Sequence, residues 1–172
     1  SESDKVTVNG KTLTGKATTV VLAFYKPVGV TCTEKDKHAE KIINDYIKYP
    51  VRVTYAGRLD KESEGLLLLT NDGKLIDAMM RGANGHEKEY VVKVNKEITE
   101  EFLMKMRAGV YLKELAVQTR PCKVERIGKL TFRIILTQGL NRQIRRMCQT
   151  LGYEVKQLKR ERVMNIRLGK LT

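Results

Sequence analysis

The stretch CKVERIGKLTFRIIL, residues 122–136, predicts two strands joined by a tight turn. Residues 122–127 and 130–136 flank Gly128-Lys129, and we expect them to pair as an antiparallel hairpin. A hairpin between neighbouring strands argues against a purely parallel sheet. This segment therefore favours a sheet that is antiparallel or mixed.

Downstream of the hairpin, residues 138–141 predict a turn that ends in a helix. Asn141 is a good N-cap, and Gly152 is a typical stop for a helix that runs to about Leu151. Two more strands are predicted near Val155 and at residues 163–166.

Upstream, further strands and helices precede the hairpin. Thr99 is the expected cap of one helix, which ends at Gly109, and Asp72 is the expected cap of another. A short hairpin around Asn9-Gly10 is predicted at residues 6–13. The other predicted elements are strands at residues 20–25, 51–55, 66–70 and 89–94 and a helix at residues 38–47.

This order of elements predicts an α+β fold, with a mixed, mostly antiparallel sheet flanked by helices. At 172 residues the chain forms one domain or two small ones. No internal repeat and no Pro/Gly/Ser-rich linker divides it.

Composition and hydropathy make a secreted or a membrane protein the less expected class. No apolar run approaches the ~18 residues of a membrane span, and the first twenty residues lack a signal-peptide pattern. The three cysteines, Cys32, Cys122 and Cys148, are far apart and predict packed side chains in a reducing cytosol. The cysteines and the two histidines do not have zinc-site spacing, so no metal is expected.

Positive charge is concentrated in the last third of the chain. Lys and Arg number 33 against 20 Asp and Glu, a net charge of +13. Residues 120–172 carry fourteen basic and three acidic residues, a net charge of +11. Such a block on a folded scaffold favours a polyanion, nucleic acid first, as its partner. The alternative is a solvated face that only adds solubility.

Two segments could carry chemistry in the first two thirds of the chain. Residues 57–65 place Arg58 and Asp60 between two glycines, just before an apolar strand. This segment is an active loop or a solvated connection, and the residues alone do not decide between them. Tyr90, on a strand, could stack on a nucleobase, although a core position is the commoner role of such a tyrosine.

The segment 141–147 is the strongest local signal. Arg142, Arg145 and Arg146 are spaced to share one side of a helix, while Ile144 and Met147 face inward. Three guanidinium groups near a helix start oppose the helix dipole. That cost indicates a role, either phosphate binding or pairing with a buried carboxylate; an exposed basic face is the alternative.

Several cofactor motifs are missing. The sequence lacks Gly-x-x-x-x-Gly-Lys-Ser/Thr, Gly-x-Gly-x-x-Gly and His-Glu-x-x-His. Any reaction is therefore expected to use carboxylate, tyrosine and arginine side chains without a cofactor.

Four motifs in order resemble one enzyme family. They are Lys26-Pro27-Val28-Gly29, the Gly57-Arg58-Leu59-Asp60 segment through Gly73, Lys88-Glu89-Tyr90, and Gln138-Gly139-Leu140-Asn141-Arg142-Gln143-Ile144-Arg145-Arg146-Met147. The chain resembles, from about residue 20 to residue 168, the catalytic domain of bacterial RsuA/RluB/RluE/RluF-type pseudouridine synthases, nearest to the RluF branch.

The resemblance implies a bent, mixed antiparallel sheet around an RNA cleft, and isomerisation of uridine to pseudouridine without metal or cofactor. It implies that Asp60 is the essential aspartate, that Arg58 acts in flipping the base, and that Tyr90 stacks on the flipped uracil. Ile144 would pack beneath the pocket. Contacts with the RNA are expected from Lys26, Arg142, Arg145 and Arg146.

The chain differs from that family at one position and at its ends. Many relatives carry Arg or Lys at the position of Leu140, so pairing with Asp60 would pass to Arg58, Arg142 or Arg145. Residues 1–15 are expected to be a linker or the remnant of an S4-like RNA-binding domain, and residues 16–172 the catalytic domain.

The partner is expected to be structured RNA, 23S rRNA first and tRNA second, with no DNA and no membrane. We expect a cytoplasmic monomer. The competing hypotheses are a non-catalytic RNA-binding or ribosome-assembly module on the same fold and, with little support, a metal-dependent nuclease.

Overall fold

The structure is a computed structural model that describes residues 4–8, 19–30, 53–80 and 85–169. The chain divides into two compact units, Ser1–Arg81 with Leu168–Thr172, and Gly82–Arg167. The predicted helix at residues 38–47 lies outside the described residues. The same is true of the second arm of the hairpin predicted around Asn9-Gly10.

The first unit is built on three neighbouring strands. Strand β1 (Asp4–Val8) pairs in parallel with β2 (Thr19–Lys26), which pairs antiparallel with β4 (Glu64–Thr70). Strand β3 (Thr54–Ala56) also pairs antiparallel with β4. Four consecutive leucines of β4 are buried, Leu66 to Leu69, so both faces of this strand are covered.

A short helix follows directly on β4. Helix α1 (Gly73–Met80) begins after Asp72, whose carboxylate accepts a hydrogen bond from the Lys74 amide at 3.0 Å. Asp72 is therefore the cap that the sequence predicts.

The second unit is an antiparallel sheet with two helices in its described part. Its strands run in the order β10 (Val155–Val163), β5 (Lys88–Val94), β9 (Thr131–Leu136) and β8 (Lys123–Arg126). Strand β11 (Ile166–Arg167) pairs with β10. A small separate hairpin joins β6 (Tyr111–Leu112) to β7 (Val117–Gln118). The hairpin predicted at residues 122–136 is confirmed as β8–β9.

The helices of this unit supply much of its core. Helix α2 (Glu100–Ala108) begins at Thr99, whose hydroxyl accepts from the Phe102 amide at 3.1 Å, and ends at Gly109, where φ is 97°. The Phe102 ring packs against Phe132 and Tyr153, with ring centroids 5.4 and 4.2 Å apart. Helix α3 (Gln143–Thr150) adds three buried side chains to this core, those of Ile144, Met147 and Cys148.

The predicted cap of α3 is wrong. Arg142, not Asn141, is the residue before the helix, and it adopts a left-handed conformation with φ of 49°. The Asn141 side chain does not cap, because its Oδ1 accepts from the Arg146 guanidinium at 2.9 Å. Gln143 reaches back instead, and its Oε1 accepts from the Leu140 amide at 3.2 Å.

The end of the chain also differs from the prediction. The two strands expected near Val155 and at residues 163–166 are one nine-residue strand, β10, followed by a turn and β11. Register shifts between Val155 and Gln157 and between Arg160 and Arg162 interrupt the pairing with β5. Such irregularities interrupt the alternation of apolar and polar residues from which a long strand is predicted in a sequence.

The predicted fold class is confirmed. Among the described strands within the two compact units, one pairing is parallel and seven are antiparallel, with helices beside them. Within the described ranges, no helix is long and apolar enough to span a membrane.

Candidate functional site

Asp60 lies in the loop between β3 and β4, and this loop is held at several points. The loop begins at Gly57, whose φ of 91° lies in the left-handed region that favours glycine. The Leu59 side chain is buried, and the Ser63 amide donates to the Asp60 carbonyl at 3.0 Å. Asp60 itself is half-buried, and Arg58 is exposed. The loop therefore presents a carboxylate and a guanidinium from an anchored backbone.

The Lys26 side chain holds this loop in place through hydrogen bonds to its backbone. Its side chain is fully buried, and its ammonium donates to the carbonyls of Ser63 at 2.6 Å, Pro27 at 2.8 Å and Lys61 at 3.3 Å. The ammonium group has three hydrogens, and it directs them at backbone carbonyls inside the fold. The contact with RNA predicted for Lys26 does not fit this geometry, and the residue instead supports the Asp60 loop.

A partly buried hydrogen bond lies at the end of the β2–β4 strand pair. The Tyr25 hydroxyl donates to Glu64 Oε1 at 2.5 Å. Burial, together with this hydrogen bond and the Glu64 charge, raises the pKa of Tyr25 from 10.0 to about 12. The uncharged phenol thus stabilises the folded state below pH 10, and this contribution is lost as the pH rises from 10 to about 12.

We expect Tyr25 to be among the last tyrosines to ionise. A titration followed at 295 nm should show a component near pH 12 that Tyr25→Phe removes. The stability difference between wild type and Tyr25→Phe should also shrink between pH 10 and 12, because only the wild type has this phenol to lose. A wild-type curve that superimposes on the Tyr25→Phe curve, scaled for one tyrosine fewer, would contradict the assignment.

The second unit carries the other predicted site residues. Tyr90 is half-buried on β5 and packs against the hydrophobic core, so it combines a core contact with a partly accessible ring. Ile144 is buried in the same core. Of the three arginines, only Arg145 and Arg146 lie on α3, and Arg142 precedes it in the left-handed conformation. The single helical face predicted for all three is therefore wrong.

Arg146 is tied to the turn that precedes its helix. Its guanidinium donates to both the backbone carbonyl and the side-chain oxygen of Asn141, each at 2.9 Å. Leu140, in the same turn, packs against the core. Gln143, which the sequence did not single out, is buried and also donates to Gln138 at 3.4 Å. These hydrogen bonds hold residues 138–143 in a defined loop conformation.

Two buried cations lie beside Tyr90, and sequence reasoning missed both as site residues. Lys88 is two residues before Tyr90 on β5, and Arg160 is the register partner of Tyr90 on β10. The available signal was Lys88 in the Lys88-Glu89-Tyr90 motif. In the part of the chain that the structure describes, no group of three His, Cys, Asp or Glu side chains could hold a metal ion.

Residues 20–150 match the family model described as RNA pseudouridylate synthase. The chain belongs to this family. The resemblance predicted from the four motifs is confirmed, and so is the similarity to the RluF branch of the family. The chain is 48% identical over 168 residues to the dual-specificity RNA pseudouridine synthase RluF of Escherichia coli (strain K12), covering 96% of this chain and 57% of the relative.

Two further relatives agree with the family. A ribosomal large subunit pseudouridine synthase B of Bacillus subtilis (strain 168) is 39% identical over 92% of this chain and 67% of its own length. A crystal structure of a pseudouridylate synthase superimposes with a TM-score of 0.83 and 26% identity, covering 95% of this chain and 71% of that one. The chain thus spans a little over half of the E. coli relative.

Proposed function

We propose that this chain isomerises uridine to pseudouridine in structured RNA, and that residues 16–172 form its catalytic domain. The observation that carries the proposal is Asp60, a half-buried carboxylate in a loop anchored by Lys26, within a chain of the RNA pseudouridylate synthase family. The isomerisation needs one well-placed carboxylate and no external reactant, which suits this loop.

The atoms of the reaction balance within the substrate. The N1–C1′ bond breaks and its electron pair leaves with the uracil. The base turns and a C5–C1′ bond forms, the C5 proton is released, and N1 takes up a proton, so no net proton is gained or lost. Asp60 acts on the uridine as a nucleophile at the sugar or the base, or as a general base. Arg58, two residues away in the same loop, helps hold the RNA open.

The target base must leave its stack, which costs a few kcal/mol. Tyr90 offers a ring face to the extruded uracil, and Ile144 supports the pocket from the core. Arg142, Arg145 and Arg146 supply positive charge for phosphates. Residues 120–172 carry a net charge of +11. We expect the exposed guanidinium groups of this segment to make the most favourable phosphate contacts.

We propose 23S rRNA as the first substrate and tRNA as the second. The B. subtilis relative is named for the large ribosomal subunit and the E. coli relative for dual specificity. The chain would act as a cytoplasmic monomer, where such RNA is found, and not on DNA.

The test is nucleoside analysis of 23S rRNA transcribed without modification. Incubation with the chain should yield pseudouridine in a digest, while the RNA stays full length with EDTA present. RNA that is bound but contains no pseudouridine would favour the non-catalytic module. Cleavage that EDTA prevents would favour the nuclease.

RNA affinity should depend steeply on salt. If the arginines neutralise several phosphates, raising the salt from 50 to 200 mM should weaken binding about 100-fold or more. Fluorescence anisotropy with a labelled rRNA fragment measures this slope. An affinity that is the same at both salt concentrations would contradict phosphate contacts by this surface.

A further inference from the structure

Lys88 shares a face of the sheet with Tyr90. Alternate residues of a strand project to the same side, so Lys88, Tyr90 and Val92 lie on one face of β5. Val92 is in the hydrophobic core, which identifies this face as the one covered by the helices. Only 7% of Lys88 is exposed, so a charged side chain lies on the buried side of the sheet.

The Lys88 ammonium reaches the loop that follows β9. A Cβ atom placed on Gly139 would lie 3.2 Å from Lys88 Nζ, so the missing side chain of this glycine leaves room for the ammonium. Arg160, the register partner of Tyr90, is buried as well. Burial and the Arg160 charge together lower the pKa of Lys88.

The carboxylates next to Lys88 in sequence are engaged elsewhere. Glu89 lies on the opposite face and pairs with Arg162 at 3.3 Å, and with Arg133 and Arg167 at 3.6 and 3.7 Å. Glu87 pairs with Arg162 at 3.2 Å. Within the described residues, no carboxylate forms an ion pair with Lys88.

A buried cation without an ion pair is expensive for the fold. Desolvating an ammonium group costs several kcal/mol, and an apolar side chain of similar length would pack there at no such cost. The position of Lys88 beside Tyr90 therefore suggests a function that needs its charge.

We propose that the Lys88 ammonium is a further catalytic group, which donates a hydrogen bond to a carbonyl oxygen of the uracil stacked on Tyr90. This proposal rests on the proposed function. Residues two apart on a strand are separated by about 7 Å, so a base lying on the Tyr90 ring brings one edge towards Lys88.

The chemistry explains why a cation is useful there. When the N1–C1′ bond breaks, its electron pair spreads over the uracil ring and its two carbonyl oxygens. C1′ is meanwhile satisfied by a bond from the Asp60 carboxylate, which breaks when the C5–C1′ bond forms, or by loss of a proton from C2′, which returns to C2′ at that point. Lys88 keeps its own proton and stabilises the negative charge until the C5–C1′ bond forms and the C5 proton leaves.

Lys88→Met tests the proposal, with Lys93→Met as its matched control. Lys93 is exposed on the opposite face of the same strand. At saturating unmodified rRNA, the single-turnover rate of Lys88→Met should fall about 100-fold, as when one transition-state hydrogen-bond donor is removed. The dissociation constant for RNA should stay within about twofold, and Lys93→Met should match the wild type.

Other outcomes would overturn the proposal. A Lys88→Met rate equal to that of active wild type would do so, and so would a loss confined to RNA affinity, which would indicate a phosphate contact. An inactive wild type would instead refute the proposed function.

A second measurement covers the case in which Lys88→Met does not fold. Lys88→Gln keeps a polar donor but no charge, and circular dichroism reports its folding. Fluorine at C5 of the target uridine stabilises the departing uracil anion by itself. Because this base has no C5 proton to lose, the rate on both RNAs is measured as disappearance of the target nucleoside from a nuclease digest. The rate defect of Lys88→Gln should therefore shrink on 5-fluorouridine RNA, and an equal defect on both RNAs would contradict the role of charge.

Discussion

Asp60→Asn should abolish pseudouridine formation while the protein stays folded. The amide has the shape of the carboxylate but cannot ionise, so it can neither attack the uridine nor accept a proton. We expect the single-turnover rate to fall about 10⁴-fold or more, a loss typical of an essential catalytic side chain. RNA binding should be unchanged or stronger, because a negative charge near the phosphates is removed.

The matched control is Glu62→Gln, which makes the same chemical change in the same loop at an exposed position. It should retain activity within about threefold, since a surface charge contributes little. An Asp60→Asn protein with a rate within tenfold of wild type would remove Asp60 from the reaction. Equal losses in both variants would point to the net charge of the loop.

Lys26→Met should produce the largest loss of stability among the variants considered. The methionine removes the ammonium that donates to the carbonyls of Pro27, Lys61 and Ser63. The Lys61 carbonyl keeps a second donor, the Gly29 amide at 2.7 Å. A buried carbonyl left without a donor costs about 1–3 kcal/mol, so the two carbonyls that lose their ammonium donor, Pro27 and Ser63, together cost about 3–5 kcal/mol. The free energy of unfolding, from urea titrations, should fall by that amount.

Lys61→Met is the control, because the Lys61 side chain is exposed while its carbonyl, which accepts from Lys26, is kept. It should change the free energy of unfolding by less than about 0.5 kcal/mol. A Lys26→Met protein that loses less than 1 kcal/mol would show that the Asp60 loop is held by other contacts.

Much of the fold could be predicted from local sequence. The β8–β9 hairpin, the helix capped by Thr99 and the leucine strand β4 carry their signals in a few adjacent residues. Short-range turn and capping chemistry is sufficient to define such elements. The four motifs likewise predicted the family that the comparisons show.

The remaining features depend on contacts that local sequence does not display. Lys26 was predicted to contact RNA, but the structure buries its side chain against the carbonyls of a loop more than thirty residues away. Asn141 has a side chain that could cap a helix, but its carbonyl oxygen and its Oδ1 both accept from the Arg146 guanidinium. Arg142 therefore occupies the N-cap position. The buried setting of Lys88 was hidden because burial is set by the helices and loop that cover β5.

The roles of Asp60, Arg58, Tyr90 and the arginines stay predictions. The predicted site residues are divided between the two compact units: Arg58 and Asp60 belong to the first, and Tyr90 and the three arginines belong to the second. Activity measurements on single variants are therefore what assigns each role.

The most direct test of the central claim is tritium release from 23S rRNA labelled at C5 of uridine and free of prior modification. Isomerisation releases the C5 hydrogen of each converted uridine to the solvent. We predict release by the wild type that reaches one tritium per target uridine and stops, and none by Asp60→Asn. No release by the wild type from RNA that it demonstrably binds, or equal release by Asp60→Asn, would contradict this account.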